Sequence, residues 1–347
     1  MYMYFSTFIT GLSDIVVLEL KDSIKDVSVK SLQDGLIVYS TNTPQDQIAK
    51  LPFFNNTFLL IKTFKDVDVN TKSINKIMKQ TIEDKNVFYH LNKKIPESRK
   101  SFRVVISVGN KMVSPDKNIL YRLEDKIIEK LNFQVSKSLP DVELWYFIRR
   151  EGGTAYFGIR ITRHTEYRKI LEKGELHPEL CNILCYISNP SSNDVFLDPF
   201  TGSGAIPMQI FSSFEYKKII AGDIDTLVIK KLKNKLENSG KDFIDAEVLD
   251  ALNLDKIKNE SIDKIITDPP WGINVGIDID LNDFYRKMLL EFYRVLTKKG
   301  SIVILIGKKD IFENVLSELK SQFSINNRYD ILVSGQKAGL YKLNKIV

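Results

Sequence analysis

The 347-residue sequence is 43% apolar and 27% charged, with 17 Gly and 11 Pro, which suits a folded protein of two or three domains and excludes a collagen-like or disordered chain. No apolar run approaches the roughly 18–20 residues a membrane span needs, the start MYMYFSTFITGL lacks a cationic stretch and a cleavage site, and two cysteines make no disulfide framework. A cytoplasmic protein with no membrane contact is the expectation, and a monomer. The formal charge of +6 sits in the middle third, where residues 66–165 hold 19 Lys/Arg against 12 Asp/Glu. Such an excess either draws in backbone phosphates or is a solvated lysine face.

In chain order, TFITG reads as a strand and LSDIVVLELKDSI as a helix, with Ile15, Leu18 and Ile24 at helical spacing. GLIVYST and FLLIKTF read as strands around a short helix near Pro44. This predicts a small α+β unit over residues 1–65. Residues 71–85 read as a helix, and KKIPESRK as a basic connector broken by Pro96. SFRVVISV is a strand, YRLEDKIIEKLN a helix, and ELWYFIRR and TAYFGIRIT a hairpin about EGG. A second α+β unit over 66–165 follows.

From 166 onward helices and strands alternate. HPELCNILCYIS is helical, then VFLDPF, KIIAGDID, DAEVLD, DKIITDPP and SIVILIG are strands separated by helices, with two strands at the end. The helix after DKIITDPP is expected to run through LNDFYRKMLLEFYRVLTKKG and close at Gly300. Alternation of this kind predicts an α/β Rossmann-type domain over 166–347, whose ligands bind beyond the carboxyl ends of the strands.

Four motifs fall at those ends. Asp198-Pro-Phe-Thr-Gly-Ser-Gly204 is a Gly-rich strand-to-helix turn that is neither GxGxxG nor a P-loop. It suits a nucleoside with a compact charged tail, or else is only a tight turn. In Gly222-Asp223-Ile224-Asp225, Asp223 can accept from ribose hydroxyls, and Asp225 reads as a helix cap. Asp250, followed by Ala251, can take an adenine amino group or cap a turn. The sharpest motif is Thr267-Asp268-Pro-Pro-Trp-Gly272. Pro269 and Pro270 stiffen the backbone and remove donors, so either Asp268 and the Pro269 carbonyl accept both hydrogens of a flat amine while Trp271 stacks on its ring, or the motif is only a rigid loop with a packing Trp.

DPFTGSG, GDID, LDA and DPPWG, in that order, resemble S-adenosylmethionine-dependent methyltransferases acting on exocyclic amines. The chain is most similar to the RNA guanine-N2 methyltransferases that carry a THUMP domain, enzymes of tRNA and 23S rRNA. TFITGLSDIVVLELK with GLIVYST resembles their N-terminal ferredoxin-like unit, and FRVVISV through TAYFGIRIT resembles THUMP, both by pattern only. RHTEYRKILEKGELHPELCNIL resembles the lead-in to the catalytic core. Trp271 stands where Tyr is commoner, which keeps stacking but removes a phenol hydroxyl.

The resemblance implies S-adenosylmethionine as cofactor, held by Asp198, Pro199, Phe200, Thr201, Gly202 and Gly204 at its methionine, by Asp223 at the ribose and by Asp250 at the adenine, with Ile224, Ala251 and Asp268 also among the cofactor-binding residues. Asp268, Pro269, Pro270 and Trp271 then hold the target amine. It further implies guanosine N2 of structured RNA as substrate, tRNA first, with THUMP gripping the acceptor end and position 6 favoured. A 23S rRNA guanine, an adenine N6 or a cytosine N4 remains the alternative, and a non-catalytic RNA-binding cofactor sensor is the reading of another class. A nicotinamide dehydrogenase is disfavoured by the glycine spacing.

For the RNA backbone, the candidates are Lys93, Lys94, Arg99, Lys100, Arg149, Arg150, Arg160 and Arg163, with His164 beside them. Phe88, Tyr89 and Trp145 are assigned to the core. His177, Cys181 and Cys185 share one helix face at i, i+4 and i+8, but too few ligands are at hand and no metal is expected.

Overall fold

The computed structural model describes residues 1–109, 111–149, 153–162, 175–238, 243–271, 280–333 and 335–347. Arg150, Arg163, His164, Gly240 and Gly272 lie outside them. The chain divides into two compact units, residues 1–7 with 21–164 and residues 8–20 with 165–347. Among the described residues no helix is long and apolar enough to cross a membrane.

The first unit is built on β1 (Tyr2–Thr7), β2 (Ser28–Gln33), β3 (Leu36–Thr41), β4 (Asn56–Lys65), β5 (Ser101–Val108), β6 (Lys111–Met112), β7 (Gln134–Val135), β8 (Val142–Ile148) and β9 (Thr154–Arg160). They make one sheet of order β2-β3-β1-β4-β9-β8-β5-β6, with β7 beside β5, so the stretches 1–65 and 66–165 are hydrogen-bonded to each other through β4 and β9. Phe5, Phe58, Trp145, Phe147 and Tyr156 fill one core on this sheet, and removing such large rings from water is its main source of stability. The first strand is YMYFST rather than TFITG: Tyr4 and Phe5 are fully buried, while Gly11 at φ +94° turns the chain into α1 (Ser13–Ser23). β2 escapes a pattern reading because SVKSLQ is a polar edge strand with no fully buried side chain.

Helices α2 (Gln45–Ile48), α3 (Thr71–Glu83), α4 (Lys85–Lys94) and α5 (Lys117–Leu131) complete this unit, whereas residues 13–20 of α1 belong to the second. The helix expected over 71–85 is α3, and α4 follows it as a second helix that the sequence pattern left unassigned. Asp84 ends α3 in an extended conformation and caps α4 by accepting from Asn86 N at 2.9 Å. Tyr89 on α4 is 62% exposed, against the core position expected for it, because its helix face turns outward while Phe88 is buried.

The second unit holds α6 (Pro178–Ser188), β10 (Val195–Asp198), α7 (Ala205–Ser213), β11 (Lys218–Asp223), α8 (Thr226–Asn238), β12 (Ile244–Val248), β13 (Ile262–Thr267), α9 (Leu281–Val295), β14 (Leu296–Ile306), α10 (Lys309–Glu318), β15 (Phe323–Val333) and β16 (Gln336–Lys345). The strand order is β12-β11-β10-β13-β14-β16-β15, with β10 to β14 parallel and β16 antiparallel to both neighbours. This is the Rossmann-like order, and its direction reverses between β10 and β13.

One boundary differs from the sequence reading. α9 stops at Val295 rather than Gly300. Leu296 is buried and pairs with Ile262, and residues 297–300 form an irregular step before Lys264 pairs with Ser301. Burial of Leu296 in the sheet outweighs the helix-forming lysines that follow it.

Candidate active site

Strand ends at the reversal of the sheet bring three of the four motifs together. Asp198 ends β10 at 2% exposure and Thr267 ends β13 fully buried, and the Thr267 hydroxyl donates to Asp198 Oδ1 at 2.7 Å. The Phe200 amide donates to the same oxygen at 3.2 Å. Burial pushes the Asp198 carboxyl up to about 7 against these donors, and the charges of Asp268 and Asp223 push the same way.

The Gly-rich turn folds across this floor. Thr201 N donates to Gly222 O at 2.8 Å, and Gly202 N donates to Asp223 Oδ2 at 3.1 Å, which ties the turn to the end of β11. Gly204 sits at φ +84°, a conformation that favours glycine, with the Leu232 side chain packed against it. Pro199 is buried and Phe200 half-buried, its ring 5.9 Å from Phe284. Ser203 Oγ donates to Glu175 Oε1 at 2.7 Å, and Lys235 holds the Ser203 carbonyl at 3.0 Å.

Asp223 Oδ1 accepts from Asp225 N at 3.0 Å, and Asp225 accepts from Leu227 N at 2.8 Å, the capping role expected for it. Ile224 is 68% exposed, an apolar face at the carboxyl edge. Asp250 is exposed and accepts from Leu252 N at 2.9 Å, whereas Ala251 is buried.

In the fourth motif Asp268 is partly buried, Pro269 buried and Pro270 exposed. The Trp271 indole donates to Asp268 Oδ1 at 2.7 Å, so the ring is folded against its own motif. Burial pushes the Asp268 carboxyl up to about 7, partly offset by that indole bond. The indole also lies on Gly307, where a Cβ would meet Trp271 Cγ and Cδ2 at 2.7 Å. Gly307→Ala is therefore expected to displace the ring and lower turnover on the order of tenfold to a hundredfold. Steady-state kinetics with a circular-dichroism check of folding would measure it, and an unchanged kcat would show that the position of the ring is immaterial.

Pattern reading passes over three contributors. Thr267 lies in a quoted motif, but its bond to Asp198 is a tertiary contact. Glu175, in GELHPEL, carries a signal only once Ser203 is beside it. Tyr285 lies on the buried stripe of α9 and reads as core, yet its buried hydroxyl has no hydrogen-bond partner. Burial, then the charge of Asp268, raises that phenol to about 12.

Cys181 and Cys185 are buried in α6, where burial keeps both thiols protonated. Among the described residues no group of three or more His, Cys, Asp or Glu could hold a metal ion.

The basic candidates of the first unit have varied surroundings. Lys93 and Lys100 are exposed. Lys94 ends α4 with its ammonium 5.0 Å from the Tyr2 ring centre. Arg99 lies 3.8 Å from Asp141, and Arg149 donates to Gly35 O at 2.7 Å. Arg160 pairs with Glu143 at 2.8 Å over the Trp145 ring, so most of its charge is answered within the fold.

Residues 165–331 match the family described as UPF0020, an RMKL-like methyltransferase domain. This segment, just under half of the chain, is similar to that methyltransferase family. The tRNA (guanine(10)-N2)-dimethyltransferase of Methanothermobacter thermautotrophicus is 27% identical over 47% of the chain and 47% of its own length. The tRNA (guanine(6)-N2)-methyltransferase of Thermus thermophilus is 26% identical over 48% and 50%. The chain thus spans about half the length of these curated relatives. Crystalline TrmN from Thermus thermophilus superposes with a TM-score of 0.80 at 19% identity over 100% of both chains, so the fold is shared throughout. The second unit carries the four motifs at or just after the ends of β10, β11, β12 and β13.

Proposed function

We propose that this chain transfers a methyl group from S-adenosylmethionine to the exocyclic N2 of a guanosine in structured RNA, with tRNA as the substrate. The observation that carries this reading is the pairing of a proline-stiffened Asp268–Pro269 acceptor edge with the buried Asp198–Thr267 floor at the point where the sheet reverses. The names of the relatives support guanine N2 in tRNA.

The residues present fit the cofactor. The Thr201 hydroxyl is buried without a partner in the turn, and a buried polar atom of this kind calls for a ligand group. Asp198, Asp223 and Asp268 form an acidic surround that suits a cationic ligand. When bound, S-adenosylmethionine supplies an electrophilic methyl group on a sulfonium. The Asp198–Gly204 turn holds its methionine end, and Asp223, whose oxygens keep lone pairs beyond the two amides they accept, takes the ribose. Ile224 packs on the purine, with Asp250 at its amino group and Ala251 behind it.

Asp268 and the Pro269 carbonyl orient the guanine amine, Pro270 keeps the edge rigid, and Trp271 faces the ring. With its carboxyl raised to about 7, Asp268 is also matched to take up the amine proton near neutrality. A stem guanosine must be flipped out, at a cost of a few kcal/mol that RNA contacts offset. Residues 1–65 act as a ferredoxin-like unit and 66–165 as a THUMP-like RNA-binding unit, with Lys93, Lys94, Arg99, Lys100, Arg149, Arg150, Arg160 and Arg163 toward the phosphates. The chain works as a monomer in the cytoplasm.

Position 6 of the acceptor stem is the favoured target. Position 10 is the second reading, because the Methanothermobacter relative is named for it. Incubation with unmodified tRNA and nucleoside mass spectrometry is expected to yield N2-methylguanosine, and nuclease mapping assigns the position. Appearance of N6-methyladenosine or N4-methylcytidine instead would refute the base assignment, and no incorporation would refute the activity.

A further inference from the structure

On one face of the second sheet lies a polar pocket of about 320 Å³ that the proposed chemistry leaves unused. The strand register sets Lys264 beside Ser301 and Ser301 beside Asn344, and Lys342, two residues before Asn344, shares that face. Lys299 and the C-terminal end of α6 complete the wall.

The charges here do not balance internally. Among the described residues Lys264 and Lys299 have no carboxylate partner. The neighbouring Asp263 is taken by Val195 N at 3.0 Å and the Thr297 hydroxyl at 3.1 Å. Lys342 donates to Ile187 O at 2.7 Å, and Lys345 to Leu296 O at 2.8 Å with Glu260 at 3.8 Å. Burial, and then Lys264, pull the Lys342 ammonium below its usual range. A second observation points to a ligand: the Ser301 hydroxyl lines the pocket, its residue is 3% exposed, and it has no hydrogen-bond partner.

We propose that this pocket binds a phosphate group, held by Lys264, Lys299 and Lys342 with the Ser301 hydroxyl and Asn344 donating to its oxygens. Several unanswered ammoniums call for more than one negative charge, and the added neutral donors call for an anion with several acceptor oxygens, which together favour phosphate over a carboxylate. The phosphate is either free or part of an RNA backbone.

Calorimetry of the full chain with inorganic phosphate is expected to show saturable binding that Lys264→Gln and Ser301→Ala each weaken, by about tenfold for the lysine, and that Lys264→Arg retains. In a parallel arm, the slope of log affinity for tRNA against log salt falls by about one in Lys264→Gln if the phosphate is RNA-borne, and stays unchanged if it is free. Absence of saturable phosphate binding together with an unchanged salt slope overturns the site, as does phosphate binding that Lys264→Gln leaves intact. Both arms read binding alone, so they hold or fail independently of methyl transfer.

Discussion

Asp268→Asn is expected to lower kcat for methyl transfer by about a hundredfold while changing cofactor affinity little. Asparagine is close to isosteric and keeps one acceptor oxygen for the Trp271 indole, so the shape of the loop survives, while its NH2 replaces the second acceptor toward the amine. What it lacks is a site for the proton that the amine must release. Because burial raises the Asp268 carboxyl to about 7, the wild-type rate is also expected to fall as pH drops below that value, and the Asn variant should lose this limb of the profile. Stopped-time incorporation assays from about pH 5.5 to 8.5 would follow both quantities across the range where such a carboxyl titrates. Wild-type turnover in Asp268→Asn would leave the carboxylate an orienting part only, with the proton passing to water.

Cofactor affinity should itself depend on pH through Asp198. Its carboxyl, raised from 3.8 to about 7, is protonated in much of the free protein at neutrality and below. A cationic ligand favours the ionised form, so binding S-adenosylmethionine releases a proton. Affinity is then expected to weaken with falling pH, with a slope approaching about tenfold per pH unit below 7. Asp198→Asn should flatten that slope and weaken binding throughout, since the Thr267 hydroxyl and Phe200 amide then lose an ionised acceptor. Calorimetry in buffers of differing ionisation enthalpy counts the released proton directly; zero release with an affinity independent of pH would remove Asp198 from the charge balance of the pocket.

The same raised carboxyls set the sign of a stability effect in the ligand-free chain. Between 3.8 and about 7 the folded protein binds more protons at Asp198 and Asp268 than the unfolded chain does. Their contribution to stability is therefore complete below about pH 4 and is lost as pH rises through 7.

Much of this architecture could be read from local pattern. The alternation after residue 166 identifies the Rossmann-like domain because each parallel strand is a short apolar run and each crossover helix has its own period. DPFTGSG and DPPWG are legible because glycine and proline act on the backbone directly, wherever the chain carries them. The first unit was harder to read. β1 and β2 are recognised only through their partners, since a polar edge strand acquires its meaning from β3, and the strand at Tyr2–Thr7 from the core it closes.

The sequence by itself determined the strand-end positions of the acidic residues, the stiff acceptor edge at Asp268–Pro269 and the basic excess of residues 66–165, all of which follow from residue type and short-range spacing. Only the tertiary structure decided that Thr267 bonds Asp198 across the sheet reversal, that Trp271 folds onto Gly307 with its indole on Asp268, that α9 yields to a strand at Leu296, and that Tyr89 faces outward. Apart from the indole bond within the Asp268–Trp271 loop, these join groups far apart in the chain or on opposite helix faces. Long-range packing and desolvation choose among such pairings, and neither leaves a periodic trace in the amino-acid order.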